Sequence, residues 1–263
     1  MNKLTFNFIT YLFLSITISL LIGCTPETQP TETVTAVDHS TLDAILHACV
    51  DTEGLVDYNL MRHNYYHDLQ SYLDNLGHIN ADNLPRRRQK IAFWLNAYNA
   101  LVLQQVLDLN PQRSAVREDP LFFQRRDYFI AGKKRSLNEI FHQIILTQFN
   151  EPRVFAALCD STLSSAPLRP EAYQPEMLAA QLDHQCRLWI AHQNLNRLDQ
   201  KQSCLYLSAT FKNFAQHFDR LYDNPRSFFL KYTPDLTEQQ YLKSHPDLTA
   251  IYLPHDWNLN QKK

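Results

Sequence analysis

Glycine is scarce in this chain, and the shortage excludes the common glycine-rich nucleotide loops. Only four of the 263 residues are glycine, and they are widely separated: Gly23, Gly54, Gly77 and Gly132. A P-loop or a dinucleotide-binding fingerprint needs several glycines within a few residues of one another. The sequence also lacks HExxH, CxxC, GxSxG and EF-hand motifs. No standard motif therefore assigns a nucleotide, zinc, serine-hydrolase or calcium site.

A strong charge imbalance is also missing. The chain has 25 basic and 27 acidic residues, for a net charge of −2. This balance gives no reason to expect a nucleic acid partner. With 44% hydrophobic and 12% aromatic residues, the chain can bury a sizeable core.

The first residues are typical of a secretory signal. Lys3 is the only charged residue before position 24, and the apolar run is clearest at residues 8–22. It ends in Leu-Ile-Gly-Cys at positions 21–24, which resembles the bacterial lipobox, where the thiol is lipidated and cleavage precedes it. We therefore predict a lipoprotein signal peptide over residues 1–23 and lipidation at Cys24. The alternative is one transmembrane helix, because the run is only slightly shorter than a membrane span.

The segment after Cys24 favours a tether to a membrane. Residues 24–39 are polar and rich in threonine, as in a flexible linker. Thr25 follows the cysteine where an aspartate would favour inner-membrane retention. The expected location is therefore the outer membrane facing the periplasm, with the lipid as the membrane contact. An envelope protein is a possible partner, and no cofactor is predicted.

Four cysteines remain after Cys24, and the sequence leaves their state open. An oxidising compartment allows up to two disulfides among them. Alternatively they are buried thiols, because two of them continue apolar helix faces. The four are Cys49, Cys159, Cys186 and Cys204.

The strongest predicted element is a helix over residues 85–109. Pro85 suits its first turn, Asn110-Pro111 stops it, and residues 91–107 are apolar almost all round. A helix without a polar face should be central and buried. Asn96 and Asn99 lie inside it, and buried amides must find partners, most often loop backbone.

The remaining pattern predicts an α+β fold, a mainly helical single domain with a buried central helix and a small β-sheet. The domain is expected at 40–255, followed by a C-terminal tail at 256–263. A capping box at Ser136–Glu139 starts one helix. The other predicted elements are helices at 40–50, 59–76 and 175–192, a hairpin at 127–135, a buried strand at 153–159, a loop at 160–175 and a strand at 203–208.

Two surface patterns have ordinary explanations. His63 and His67 have the i, i+4 spacing of a zinc pair, but they face away from the apolar side of their helix and lack a clear third ligand. The basic groups at 85–90 and 133–135 fit solvated charge, with contact to anionic lipid headgroups as the alternative. No metal site is predicted.

Several stretches, in a fixed order along the chain, resemble the uncharacterised bacterial and plant family known as DUF547. The most specific is Ala92–Leu101 (AFWLNAYNAL). The others are Gly54–Tyr58, Ser136–Ile140 with His142, Pro152–Val154 with Ala157 and Leu158, Ala166–Leu168, Tyr173, and Leu207-Ser208 with Phe211.

The resemblance implies a polar set that this sequence has mostly lost. The family pattern has a Glu-His pair, a further His and two Cys, which could form a thiolate nucleophile or hold a metal. Here Phe141 takes the Glu position, Phe155 the second His, Asp160 the first Cys and Ser165 the second Cys. Only His142 survives. Cys159 is one residue from the lost Cys, and on a strand that shift would turn it to the opposite face.

We therefore expect a lipid-anchored envelope protein that acts by binding or structure. The alternative is a hydrolase-like enzyme that uses His142 with polar residues of the 159–168 loop. The candidates in that loop are Asp160, Ser161, Ser164 and Ser165. The two hypotheses are distinguished by whether His142 and the loop meet in one pocket, which the hydrolase hypothesis requires.

Overall fold

The structure is a computed structural model, and it describes residues 36–263. The predicted signal peptide at 1–23, the lipidation site Cys24 and most of the predicted tether at 24–39 lie outside the described residues. The described chain falls within one unit, Thr33–Lys263.

The described residues form a mainly helical α+β domain with two small sheets, so the predicted fold class is confirmed. In chain order the helices are α1 (Ser40–Cys49), α2 (Tyr58–Asn64), α3 (Tyr66–Gly77), α4 (Arg87–Leu109), α5 (Ala115–Glu118), α6 (Leu146–Gln148), α7 (Val154–Ala157), α8 (Leu178–Ala191), α9 (Ala209–Asn213), α10 (Ala215–Tyr222), α11 (Pro225–Tyr232) and α12 (Leu236–Ser244). A 3₁₀ turn spans Ala81–Asn83, and a π-helical segment, Glu139–Ile145, leads into α6.

The strands are β1 (Tyr128–Ile130), β2 (Lys133–Arg135), β3 (Arg197–Asp199), β4 (Cys204–Leu207) and β5 (Thr249–Tyr252). The first two form an antiparallel hairpin. β4 lies in the middle of the other sheet, antiparallel to β3 and parallel to β5. The predicted hairpin and the predicted strand at 203–208 are thus present.

Helix α4 is the buried centre that the sequence predicts. Every residue from Ile91 to Leu107 is buried. The helix begins at Arg87 rather than Pro85, and the Arg86 amide donates to the Gln89 side chain at its start (3.0 Å). It ends where Asn110 turns left-handed, with φ of 50°, a conformation that asparagine tolerates better than most residues.

The helix predicted over residues 59–76 is two helices. Helical geometry breaks at Tyr65, whose φ is −129°, so α2 and α3 are separate. Apolar spacing shows which residues face the core on both sides of such a break, but it does not reveal the break itself.

The prediction of a strand at 153–159 is wrong, but the prediction that this segment is buried is confirmed. Residues 154–157 form the short helix α7, and Leu158 follows in extended conformation. All residues from Val154 to Cys159 are buried. A short apolar run fits a buried strand or a buried helical turn equally well. Here Pro152 lies just before the first turn, where its missing N–H costs no helical hydrogen bond.

The last eight residues, expected to form a tail, pack into the domain. Leu259 and Asn260 are buried. Leu259 bridges to Thr162, and Gln261 bridges to Val56. Hydrophobic patterning misses this segment because mainly backbone bonds hold it.

The four cysteines of the described chain carry free thiols. Cys49, Cys159 and Cys186 are buried, and Cys204 is half-buried. Within residues 36–263, none of the helices has the length and apolar character to cross a bilayer.

Candidate functional site

Two buried amides of α4 hold the segments that lead to the candidate site. The Asn99 side chain donates to the Ala157 carbonyl (2.9 Å) and accepts from the Cys159 amide (3.0 Å). The Asn96 side chain makes the same pair of bonds with the backbone of Tyr173, both at 2.9 Å. The prediction that these amides bond to loop backbone is therefore confirmed. The 158–173 region is fixed to the central helix at both ends.

The loop that begins at Asp160 is ordered by its own side chains. Asp160 Oδ1 accepts from the amide of Thr162 (3.1 Å) and from its hydroxyl (2.7 Å). The Ser165 hydroxyl accepts from the Asp160 amide (2.9 Å) and donates to the Leu158 carbonyl (3.4 Å). Ser161 between them has φ of 71°. The second carboxylate oxygen of Asp160, Oδ2, takes part in none of these bonds.

A cavity of about 330 Å³ lies beside this loop. Six of its lining residues are phenylalanine, tyrosine or tryptophan, and most of the others are polar. The residues that line it are Tyr98, Phe123, Asn138, Phe141, His142, Phe155, Leu158, Asp160, Ser165, Ala166, Thr210, Asn213, Phe214, His255 and Trp257. His142 and Asn213 are exposed, so the cavity opens to solvent there.

Every position at which the sequence departs from the family pattern lines this cavity. Phe141, Phe155, Asp160 and Ser165 surround it, together with the surviving His142. The structure thus brings the candidates His142, Asp160 and Ser165 into one pocket. The other two candidate serines lie elsewhere: Ser161 is buried, and Ser164 accepts from the Asp256 amide (2.6 Å).

The aromatic walls pack closely against one another. The rings of Phe155 and Phe214 lie 4.9 Å apart between centroids and are tilted by 31°. The Phe141 ring is nearly perpendicular to the Phe214 ring, with centroids 5.4 Å apart. The centroids of Phe141 and Phe155 are 6.1 Å apart. Edge-to-face and tilted pairs of this kind are favourable ring geometries. They make a stiff apolar wall where two of the family's polar positions would be.

His142 lies at the edge of this wall. Its ring contacts Phe141 edge-on, with centroids 4.7 Å apart. Partial burial lowers the pKa of His142 below the usual histidine value. The lowered pKa favours the neutral imidazole, which can accept a proton.

Sequence reasoning missed His255 and Trp257, which also line the cavity. Their rings are 4.1 Å apart. They fall at the boundary between the predicted domain and the predicted tail, and no local pattern marks them. Phe214 was missed for the same reason, because a single phenylalanine between short helices carries no distinctive spacing.

The hydrogen bonds fix the tautomer of His255. Its Nε2 lies 3.0 Å from the Thr162 hydroxyl oxygen. The single hydroxyl proton of Thr162 is donated to Asp160, which as a carboxylate can only accept. Nε2 of His255 must therefore carry a proton and donate it to Thr162. In this arrangement His255 cannot act as the base that activates Thr162.

No nucleophile–base pair is assembled among the described residues of the cavity. Ser165 bonds to backbone groups rather than to an imidazole. Cys159 is buried behind the loop, where Asn260 Nδ2 lies 3.3 Å from its sulfur. Burial, and secondarily the Asp160 charge, raise the pKa of the Cys159 thiol to about 12. At neutral pH this sulfur is a protonated thiol and a poor nucleophile.

Within residues 36–263, the structure groups no three His, Cys, Asp or Glu side chains in a way that could hold a metal ion. His63 and His67 are both exposed on the surface.

A second cavity, of about 470 Å³, lies near the other side of the same loop. Ser165 and Ala166 line both cavities, and Gly54, His192 and Asp256 line only this one. No phenylalanine, tyrosine or tryptophan lines it.

The described chain is thus a mainly helical α+β domain with one aromatic cavity at the candidate positions. A sequence model of the family described as "Protein of unknown function, DUF547" matches residues 81–190. This match supports the resemblance to the DUF547 family over these residues. The match contains α4, the hairpin, the 160–173 loop and nearly all of α8, but it ends before Phe214, His255 and Trp257. No curated protein and no solved structure matches the chain.

Proposed function

We propose that this protein is a lipid-anchored protein of the cell envelope that binds a small ligand in the aromatic cavity. The cavity carries the proposal. Its volume of about 330 Å³ is within the range of small-molecule sites, which are typically apolar with a few convergent polar groups. His142, Asp160 and Ser165 are the polar groups that would orient the ligand.

His142 and the loop meet in one cavity, as the hydrolase alternative requires, but the hydrogen bonds of the hydroxyl groups favour binding over catalysis. The hydroxyl of Ser165 is engaged with backbone on both sides, and the proton of Thr162 is donated to Asp160. Phe141 and Phe155 offer neither a proton acceptor nor a charge. A general base within hydrogen-bond reach of a nucleophile is the minimum for hydroxyl-based catalysis.

Fluorescence of N-phenyl-1-naphthylamine, a neutral probe that brightens in apolar sites, tests the binding proposal. The protein would be the chain from residue 24 with Cys24→Ala, so that no lipid competes for the probe. Phe214→Ala removes one wall and should weaken binding by about tenfold, since one buried ring contributes roughly 1.5 kcal/mol. Phe129→Ala, in the hairpin and outside the cavity, is the matched control. Equal affinity of the two variants would contradict the proposal.

The anchor is tested separately. We propose that Cys24 is lipidated and tethers the domain to the outer membrane on its periplasmic side, with residues 24–39 as the tether. Cys24→Ala should abolish incorporation of a fatty-acid analogue and release the protein from the membrane fraction. Label that persists on the variant would show that Cys24 is not the lipidated residue. Pull-down of the anchored protein from membranes would identify the envelope partner that this location suggests.

A hydrolase-like activity is the second candidate, favoured by one observation. His142, Asp160 and Ser165 line the same cavity. Hydrogen bonds between catalytic groups are often long without substrate and shorten when the substrate binds, so the absence of such a bond here does not exclude catalysis. If the cavity is an active site, Ser165→Ala and His142→Gln should each abolish hydrolysis of a p-nitrophenyl ester. Ser244→Ala, at an exposed position of α12, is the control. A rate that is equal in all four proteins rules out this candidate.

A further inference from the structure

The cavity combines aromatic rings with one carboxylate, and this combination indicates the charge of its ligand. Asp160 is the only carboxylate among the residues that line it, and no lysine or arginine lines it. Cations bind favourably over aromatic faces, and the attraction grows when the site excludes water. A carboxylate at the edge of such rings adds a direct charge interaction.

One oxygen of Asp160 is available for this role. Its Oδ1 accepts both bonds from Thr162. Its Oδ2 has His255 Nε2 at 4.0 Å, beyond hydrogen-bond distance, because that nitrogen donates to Thr162 instead. The carboxylate is therefore oriented by Thr162 and still has an oxygen for a ligand.

The charge of Asp160 acts on the groups around it. It adds to the effect of burial in raising the pKa of Tyr98, which lines the cavity, and of Tyr58 and Cys159 behind the loop. Burial is the larger cause of each shift, and the Asp160 contribution to each has the sign of a negative charge. The other titratable side chains that line the cavity include His142 and His255, and partial burial disfavours a proton on His142.

From this arrangement we propose that the ligand is a small organic cation, an amine or quaternary ammonium group on an apolar body. The charged group would lie against Asp160, and the apolar body would lie against the wall formed by Phe141, Phe155 and Phe214. This inference rests on the proposed binding function and specifies its ligand class.

The test is displacement of N-phenyl-1-naphthylamine by two molecules of nearly identical shape. Benzyltrimethylammonium is the cation, and neopentylbenzene is its uncharged carbon isostere. Both are titrated at pH 8, above the usual titration range of histidine. The cation should displace the probe at a concentration about tenfold lower than the neutral molecule.

Asp160→Asn should remove this preference, because the amide keeps an oxygen for Thr162 and loses the charge. Asp219→Asn, at an exposed position of α10 outside the cavity, makes the same change in net charge and should keep the preference. Equal displacement by the two molecules in the unmodified protein would overturn the cation inference while probe binding still supported the cavity. Failure of the probe itself to bind would overturn the proposed function as well.

Discussion

At the scale of single residues, Gly54 shows how backbone geometry supports the site. Its φ is +78°, and a Cβ there would lie 2.6 Å from the Leu168 amide nitrogen and 2.6 Å from Pro167 Cβ. Gly132 in the hairpin has a similar φ of +75°, but a Cβ there would meet nothing within 4 Å. An alanine at Gly132 would meet only the strain of the positive φ, whereas an alanine at Gly54 would meet the same strain and a steric clash.

Both glycine-to-alanine variants should therefore be destabilised, and Gly54→Ala should lose more free energy of unfolding than Gly132→Ala. Left-handed strain alone costs about 1–2 kcal/mol, which is the expected loss for Gly132→Ala. Gly54→Ala should lose about 1–3 kcal/mol more, as overpacking typically does. Urea unfolding of the two variants measures the difference. Equal midpoints would mean that the 167–168 backbone moves aside freely.

Thiol accessibility gives a second prediction at this scale. Burial raises the pKa of Cys159 to about 12 and that of Cys49 to about 11, and Cys186 is fully buried. In the Cys24→Ala protein, iodoacetamide at neutral pH should modify only half-buried Cys204 while the fold is intact. All four should react in denaturant. Rapid modification of Cys159 in the folded protein, slowed by His142→Ala, would instead support thiol chemistry in the cavity.

His39 gives a prediction about pH. Its Nδ1 lies 2.7 Å from the Tyr72 hydroxyl in the core. Burial lowers the pKa of His39 to about 4, with the nearby Asp38 opposing the shift. The unfolded chain binds the proton near pH 6.5, so this contribution to stability is complete above pH 6.5 and is lost as the pH falls toward 4. The loss is about 3 kcal/mol.

His39→Gln should reduce this pH dependence, because glutamine does not titrate and can still accept from Tyr72. Exposed His67→Gln is the matched control and should titrate like the unmodified protein. Unfolding free energies measured between pH 7 and pH 4 give the comparison. An identical pH dependence in all three proteins would contradict the burial of a neutral imidazole at position 39.

At the scale of elements, α4 was the part of the fold most open to prediction. Its burial follows from an apolar surface on all sides. The hydrogen bonds of Asn96 and Asn99 to loop backbone follow from the free-energy cost of an unpaired buried amide. The 153–159 segment was not predictable in the same way. Its burial could be read from composition, but the choice between one helical turn and a strand depends on neighbours that lie far away in the chain.

The two bonds of Asn99 give a prediction for this element. Asn99→Asp removes the donor to the Ala157 carbonyl and buries a carboxylate at a helix that is closed to solvent. We expect a loss of about 2–4 kcal/mol, the range for an unpaired buried charged group. Asn59→Asp, at an exposed position of α2, is the matched control and should change stability by less than about 0.5 kcal/mol. Because Asn99 also fixes Cys159 next to Asp160, the variant should weaken probe binding.

At the scale of the whole molecule, the candidate site is assembled from distant parts of the chain, and this limited its prediction. Residues 141, 142, 155, 160 and 165 could be selected because a family pattern aligned them. Phe214, His255 and Trp257 lie beyond the 81–190 match, and only the folded chain brings them to the same cavity. The family positions therefore predicted one side of the pocket, and tertiary packing determined the other.

The C-terminal segment that completes this pocket supplies the last prediction. Asn260 accepts from the Tyr58 hydroxyl (2.7 Å) and also lies against Cys159, while the Lys262 amide donates to Val56 (2.9 Å). Deletion of residues 256–263 should therefore cost about 3–5 kcal/mol, since it removes a buried polar network and a buried leucine. It should also abolish probe binding, because Trp257 is lost.

A truncation series makes this test internally controlled. Removal of residue 263 alone should leave both the unfolding midpoint and probe affinity unchanged. Removal of residues 261–263 should lower stability, because the Val56 bridge is lost, but should keep the cavity, since Trp257 and Asn260 remain. Only the deletion of 256–263 should affect both measurements strongly. If all three proteins unfold at the same urea concentration, residues 256–263 form a solvated tail and the cavity has no wall at Trp257.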